Sequence, residues 1–461
     1  MKLNSQKGKK IGIFGLGLTG CSAFNALSGI AATILCWDDR EENLQQFSSR
    51  FDAKHLVNID DNAWAELDKI IISPGVPPAH SIFSLAKAYN ILISSDIGMF
   101  LEEIVASKGQ GNVQKKEPAK IIIVTGTNGK STTTALIGHI MAHNGEDYHI
   151  GGNIGKPVLD LPLGARGYIL ELSSFQIDLL ENFNTYLSVL LNITPDHLDR
   201  YGALEAYSKS KYKGSLAGDI KIIGIDSDLS KEFYDSLKKQ GHKNLIPISA
   251  CSKNEKNIKQ TITCIDNKII DNFFNKEMYD LLTDTILKGK HNLENIAASF
   301  AAARALGVMP ADIIKHIASF KGLPHRMQYL GTKGNISFYN DSKATNAASA
   351  SYSLSSLDNV FWLAGGIFKE ESLVPIEYAF KSVKKAYLFG QDKLLFAQGL
   401  KNKVEYEICD TMAQAFALAF KDACATKEHS NILLAPACAS YDQFKNFEDR
   451  GNKFIELYET K

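Results

Sequence analysis

Lys120-Ile-Ile-Ile-Val-Thr-Gly-Thr-Asn-Gly-Lys-Ser-Thr132 joins three signals in one short stretch. The β-branched run Ile121 to Val124 predicts a buried strand. Thr125-Gly-Thr-Asn-Gly129 is a glycine-bearing turn, and Ser131 to His143, closed by Asn144-Gly145, predicts a helix. Strand, glycine turn, Lys-Ser and helix together form a cradle for a nucleotide triphosphate. Backbone N–H groups of Gly126, Asn128 and Gly129 and the helix N-terminus face the anion, and Lys130 reaches the terminal phosphates. A hydroxyl on Ser131 or Thr132 is placed to ligate Mg²⁺. Gly126 stands closer to the lysine than the first glycine of the usual pattern does. The competing reading is an ordinary strand–turn–helix with a surface lysine, and it needs two glycines and Lys-Ser-Thr to coincide after a strand.

Upstream, Ile11 to Phe14 predicts a short strand, Gly15-Leu-Gly-Leu-Thr-Gly20 matches Gly-x-Gly-x-x-Gly, and Cys21 to Leu27 predicts a helix. A second strand, Ala32 to Trp37, ends in Asp38-Asp39-Arg40, so acidic residues stand about 20 positions beyond the glycines, as in a Rossmann-like unit. Alone, the motif suits an NAD-linked oxidoreductase, another nucleotide diphosphate or a structural turn. Leu18-Thr-Gly-Cys21 also resembles a lipoprotein cleavage site, but Gly12, Gly15 and Gly17 make a poor helical signal segment. Lys69-Ile-Ile-Ile-Ser-Pro-Gly-Val-Pro-Pro78 predicts a strand running into a rigid loop. Ser107 to Lys120 is polar and aperiodic, a linker.

Downstream, Gly151-Gly-Asn-Ile-Gly155 is a second glycine loop. Tyr168 to Leu172 predicts a strand carrying Glu171 near its end, and Tyr186 to Ile193 predicts a longer one opening into Asn192-Ile-Thr-Pro-Asp-His-Leu-Asp-Arg-Tyr201. Glu171, Asp196, His197 and Asp199 thus lie near strand ends, where an α/β sheet builds its site. One or two carboxylates suffice for Mg²⁺ bridging phosphates. Residues 250 to 290 are polar, with a hairpin expected around Asp266-Asn267 within 261–270. Leu293 to Leu306 predicts an amphipathic helix. A last α/β region begins near Gly322-Leu-Pro-His-Arg326, with strands at 336–339, 360–364, 386–389 and 432–435. Asn340-Asp-Ser-Lys-Ala-Thr-Asn346, Gly365-Gly-Ile-Phe-Lys369 and Pro436-Ala-Cys-Ala-Ser440 each follow one of these strands, so they share a sheet edge.

Length sets the domain count at about three for 461 residues. Lys+Arg and Asp+Glu balance at 51 each, which argues against a field for nucleic acid or an anionic membrane. Seven scattered cysteines without a Cys-x-x-Cys argue against zinc or a disulfide framework and for a reducing compartment. No apolar run reaches the ~20 residues of a spanning helix. The fold class expected is α/β in three domains: a Rossmann-like N-terminal domain (1–95), a central P-loop-type ATPase domain (96–322) and a Rossmann-like C-terminal domain (323–461).

From Gly15 to Arg450 the chain resembles the Mur ligases of bacterial peptidoglycan synthesis. Thr125-Gly-Thr-Asn-Gly-Lys-Ser-Thr132 resembles their short phosphate loop. Asn340 to Asn346 and Pro436-Ala-Cys-Ala-Ser-Tyr-Asp-Gln-Phe-Lys-Asn-Phe-Glu-Asp-Arg-Gly451 resemble the loops of the D-glutamate-adding members. The resemblance implies ATP-dependent amide ligation. The carboxylate of UDP-N-acetylmuramoyl-L-alanine would be phosphorylated to an acyl phosphate and attacked by the amine of D-glutamate, in a cytoplasmic monomer using ATP and Mg²⁺. It implies catalytic roles for Lys130, His197 and Lys211, and a metal set of Ser131, Glu171, His197 and Lys211, the last as a carbamate. ATP would also meet Asn292, Arg326, Asp341 and Lys343. The UDP substrate would meet Leu18, Thr19, Asp38, Asp39, Arg40 and Ser73, with Asn153 on the sugar side. Thr345, Lys369, Ser440 and the backbone of Phe447 would hold D-glutamate. Another amide ligase of the superfamily, such as a folylpolyglutamate synthetase, is the nearest alternative; a catalytically dead scaffold would not need Lys130, Glu171, His197 and Lys211 together.

Overall fold

The computed structural model describes residues 1–107, 117–251, 260–281, 287, 290–368 and 372–461. It divides into two compact units, Met1–Phe320 and Lys321–Lys461.

The first unit holds two sheets. β1 (Lys10–Phe14), β2 (Thr33–Trp37), β3 (Lys69–Ile72) and β4 (Leu92–Ser94) are parallel in the order β2-β1-β3-β4. Their continuous apolar runs reflect burial on both faces. Gly12 is a glycine because a Cβ there would lie 2.7 Å from both the Trp64 ring and the Leu67 side chain. The helix after the glycine turn begins at Leu18, one turn earlier than the sequence predicts, and runs to Leu27. It can do so because Gly20 lets it press on β1, where a Cβ would sit 2.0 Å from the Gly15 carbonyl. Cys21 is buried inside this helix.

In the second sheet β5 (Lys120–Thr125), β6 (Tyr148–Gly152), β7 (Gly167–Glu171), β8 (Thr185–Leu190), β9 (Gly218–Gly224), β10 (Leu245–Ser249) and β11 (Ile262–Ile265) run parallel. The antiparallel strands β12 (Lys268–Asp271) and β13 (Glu277–Asp280) complete the order β13-β12-β11-β10-β9-β8-β5-β7-β6. The expected hairpin is β11–β12, and its turn uses Asp266 and Asn267 at φ +46° and +59°, the left-handed pair a two-residue hairpin turn requires. One apolar cluster runs from Ile11, Ile13 and Phe24 through Phe100 and Ile104 to Tyr168, Leu170 and Leu172, so both sheets share a core. Ser22 adds a hydrogen bond to Asp160 at 2.7 Å and Lys69 an ion pair to Glu102 at 2.7 Å.

The second unit has β14 (Gln328–Lys333), β15 (Ile336–Asn340), β16 (Val360–Gly365), β17 (Val383–Phe389), β18 (Tyr406–Ile408) and β19 (Ser430–Leu434), ordered β14-β15-β19-β16-β17-β18. Only the edge strand β14 is antiparallel. Separate apolar clusters cover its two faces, one around Trp362, Leu388 and Phe396, the other around Phe338, Phe416 and Phe454. Because β15, β16 and β19 are mutually parallel, the loops after them leave the same edge, as the sequence predicts. Among the described residues no helix is long and apolar enough to cross a membrane, and all seven cysteines are unpaired thiols.

Candidate active site

The phosphate loop joins β5, which lies between β7 and β8, to the helix Lys130–His143. Its glycines are dictated by backbone shape: Gly126 has φ +147° and Gly129 φ +83°. A Cβ on Gly129 would also lie 2.2 Å from Asn295 Oδ1, on the helix Lys290–Ala305 packed beneath it. The segment after β8 clamps the loop. The Asn192 carbonyl accepts from Thr127 N–H at 2.8 Å, and Asn192 Oδ1 accepts from Asn128 N–H at 2.9 Å. Lys130 Nζ donates to the carbonyls of Gly126 (2.9 Å) and Thr127 (2.7 Å). Ser131 is buried and Thr132 half-buried in the first helical turn.

Lys211, on the helix Leu204–Leu216, is fully buried, and its Nζ donates to the same Gly126 carbonyl at 2.8 Å while lying 4.6 Å over the Tyr207 ring. Burial, and then the neighbouring Lys130 charge, pull its pKa down to about 7. Tyr207 OH in turn meets Thr127 Oγ1 at 3.1 Å. Glu171 ends β7; its Oε1 accepts from Asn153 Nδ2 at 2.9 Å, whereas its buried Oε2 has no partner among the described residues. His197 is half-exposed, adopts φ +52°, lies 3.5 Å from the Asp196 carboxylate, and packs its ring 4.8 Å from Phe175 and 6.2 Å from Tyr207. Among the described residues no three His, Cys, Asp or Glu gather as a metal centre. The expected metal set contains only one carboxylate and one imidazole, and the buried, unpartnered Glu171 Oε2 is the observation that best fits a cation there. Asn292 accepts from Asn295 Nδ2 at 3.1 Å through its Oδ1.

Glu294 is a residue the sequence reading missed. Its Oε2 accepts from Asn192 Nδ2 at 2.7 Å, so it braces the residue that braces the phosphate loop. Its Oε1 has no partner among the described residues, and burial raises its pKa to about 7. In sequence it is one glutamate on an amphipathic helix, with nothing to mark it as turned inward.

At the first sheet, Leu18 is 78% exposed and Thr19 half-buried at the mouth of the glycine turn. Asp38 is buried and fully engaged: Leu16 N–H (2.6 Å) and Asn43 Nδ2 (2.7 Å) donate to its Oδ2, and Arg40 N–H (2.9 Å) to its Oδ1. These bonds tie the glycine turn to the end of β2, with the Asp38 carboxylate at their centre. The exposed Asp39 pairs with His80 Nε2 at 2.9 Å, Arg40 is exposed, and Ser73 Oγ donates to the Gly15 carbonyl at 2.8 Å.

In the second unit, Asp341 is buried, its Oδ1 accepting from Met327 N–H at 3.1 Å and its Oδ2 from the Ser353 hydroxyl; burial raises its pKa. Lys343 lies 5.0 Å over the Phe447 ring, and Arg326 precedes the same loop system. Thr345 is half-buried, Ser440 is buried, and Phe447 opens the helix Phe447–Glu459. Lys369 lies outside the described residues. Arg450, fully buried, ties the three loops together. Its Nε and Nη2 donate to Ser342 Oγ (3.0 Å) and O (2.8 Å), and its Nη1 to the carbonyls of Cys438 (3.0 Å) and Gly365 (3.5 Å). Burial lowers its pKa to about 10.

A short phosphate loop with a buried second lysine on its carbonyl, set in this three-sheet frame, defines a class, and comparison with known proteins agrees. Residues 124–303 match the family model described as Mur ligase middle domain, and residues 9–95 that of the Mur ligase MurD-like N-terminal domain. The chain belongs to the Mur ligase family. The UDP-N-acetylmuramoylalanine--D-glutamate ligase of Rickettsia bellii is 48% identical over 98% of both chains. The protein of that name in Rickettsia prowazekii is 47% identical over 99% of both, and that of Wolbachia pipientis wMel is 38% identical over 100% of this chain and 98% of its own. Among solved structures, the UDP-N-acetylmuramate-alanine ligase MurC of Thermotoga maritima superposes with a TM-score of 0.59 at 16% identity, covering 98% of this chain and 99% of that one. The MurF ligase of the same organism, solved in complex with ADP, gives 0.56 at 16% identity over 99% and 96%.

Proposed function

We propose that this chain joins D-glutamate to UDP-N-acetylmuramoyl-L-alanine with hydrolysis of ATP to ADP and phosphate, as a monomer in the cytoplasm. The observation that carries the reading is the pair Lys130 and Lys211 on one carbonyl of the phosphate loop, with the unpartnered oxygen of Glu171 as the expected metal ligand. The names of relatives alike along nearly the whole chain supply the substrates. Domains at 1–95, 96–322 and 323–461 are supported by the end of the N-terminal family model at residue 95 and by the break between compact units after Phe320, and the middle-domain model lies within the second of them, at 124–303.

A carboxylate is a poor electrophile until it is phosphorylated, so the site must align a triphosphate with the substrate carboxylate and keep water from the acyl phosphate. Lys130 and the N–H groups of Gly126 and Gly129 receive the phosphates, with Asn128 beside them, and the Asn192 clamp on Thr127 and Asn128 fixes the loop between the two glycines beforehand. When bound, Mg²⁺ neutralises charge between the phosphates. Glu171, oriented by Asn153, would hold it with Ser131 and His197. Lys211 is suited to the fourth place as a carbamate, because burial and the Lys130 charge bring its pKa down to about 7, so a large fraction of the amine is neutral at neutral pH and open to CO₂. The carbamate exchanges a buried cation for an anion with two oxygens, which relieves the repulsion from Lys130. Asn292, Arg326, Asp341 and Lys343 are the further residues of the ATP set. Leu18, Thr19, Asp38, Asp39, Arg40 and Ser73 are the UDP-substrate residues, with Asn153 on the sugar side. Thr345, Lys369, Ser440 and Phe447 are the D-glutamate set.

The test is phosphate release with ATP and the muramoyl nucleotide against a panel of amino acids. D-Glutamate alone should support turnover, and equal rates with L-alanine or diaminopimelate would overturn the reading.

A further inference from the structure

The loop after β3, Ser73 to Pro78, and the loop carrying His197 come from different sheets of the first unit, yet one side chain holds both. Arg200, at the end of the His197 loop, sends Nη1 to the Pro74 carbonyl (3.2 Å) and Nη2 to the Val76 carbonyl (3.3 Å). Its guanidinium lies over Phe175, with Cζ 4.0 Å from the ring centre, and its Nε is buried with no partner among the described residues. From there contacts run without a gap. Phe175 packs on His197 at 4.8 Å, His197 on Tyr207 at 6.2 Å, and Tyr207 reaches Lys211 at 4.6 Å and Thr127 at 3.1 Å. On the other side, Ser73 is bonded to the Gly15 turn. The fork therefore stands in the middle of a chain of contacts that runs from the glycine turn of the first sheet to the phosphate loop of the second.

We propose that Arg200 is a positioning residue that couples the muramoyl-nucleotide loop to the phosphate loop, so that filling one tightens the other. The inference rests on the ligase reading and adds to it the route by which one substrate is sensed by the site of the other. A planar fork meeting two carbonyls and an aromatic face is specific to arginine; a lysine reaches one carbonyl and does not stack in the same way. Coupling of this kind is reciprocal, so either ligand reports it.

The experiment titrates a non-hydrolysable ATP analogue into the full chain by calorimetry, with and without saturating UDP-N-acetylmuramoyl-L-alanine. Wild type should bind the analogue about fivefold or more tightly when the muramoyl nucleotide is present. Arg200→Lys and Arg200→Met should bind each ligand alone within about twofold of wild type, lose the tightening, and show a lower kcat with the KM for D-glutamate unmoved. Phe175→Leu, which removes the stacked face but leaves both carbonyl bonds, should keep part of the coupling. Undiminished tightening in both Arg200 variants, or none in wild type, would overturn the proposal. Should Arg200→Met fail to fold, Arg200→Lys decides. A wild type that binds neither ligand and releases no phosphate would sink the ligase reading itself, and this one with it.

Discussion

Two ammonium groups on a single carbonyl make Lys211 the most informative residue of the first unit. A merely structural lysine this deeply buried would be expected to meet a carboxylate, and here burial and Lys130 drive it toward neutrality. Lys211→Ala should therefore lose most activity, about 100-fold or more, and free short carboxylates such as formate or acetate should restore part of it. Phosphate-release assays with and without the acid decide the point, and absence of rescue would count against a carbamate. Glu294 makes a prediction about stability. Its pKa rises from the usual 4.5 to about 7, so the folded chain holds a proton more tightly than the unfolded chain does. Its contribution is thus fully present below pH 4.5 and lost as pH rises to about 7. Glu294→Gln, which keeps an acceptor for Asn192, should melt with wild type near pH 4.5 and above it at pH 8; parallel melting curves at both would show that the carboxyl is not held protonated.

Among the elements, the phosphate loop is where local backbone and tertiary packing make the same demand. Gly129→Ala meets a left-handed φ and a 2.2 Å contact with Asn295 Oδ1 together. It should destabilise the fold by about 1–3 kcal/mol and weaken nucleotide binding, whereas Gly145→Ala, also left-handed but in open space, should cost less and leave binding alone; thermal melts and nucleotide titration check both. This loop was legible because its glycines are set by geometry near in sequence. The hairpin at Asp266-Asn267 and the common edge of the three late loops were legible for the same reason, since turn chemistry and strand alternation are local. Arg200, Glu294 and Arg450 were not, because what defines them is a partner far along the chain: Pro74, Asn192 and Ser342. The early start at Leu18 depends on Gly20 touching the Gly15 carbonyl, which no helical pattern announces. Asp38 was legible as an acid at a strand end, whereas the three protein donors that orient its carboxylate come together only in the folded turn.

For the whole molecule, the continuous core from Ile11 to Leu172 makes residues 1–320 a unit with its own apolar interior, and residues 321–461 possess two further clusters of their own. The 1–320 fragment should thus melt cooperatively and retain muramoyl-nucleotide binding without turnover; calorimetry of the fragment checks this, and a broad, non-cooperative trace would show that the second unit is needed for the first to fold. Arg450 bears on how such a protein changes over time. One guanidinium ligates three loops that leave one sheet edge, so no one of them is at liberty to drift: a lengthened turn at Gly365 would drag on Ser342 and Cys438 as well. A descendant with a different amino-acid acceptor must alter the three in concert or first give up the arginine, and lineages that keep it should show these segments varying together or not at all.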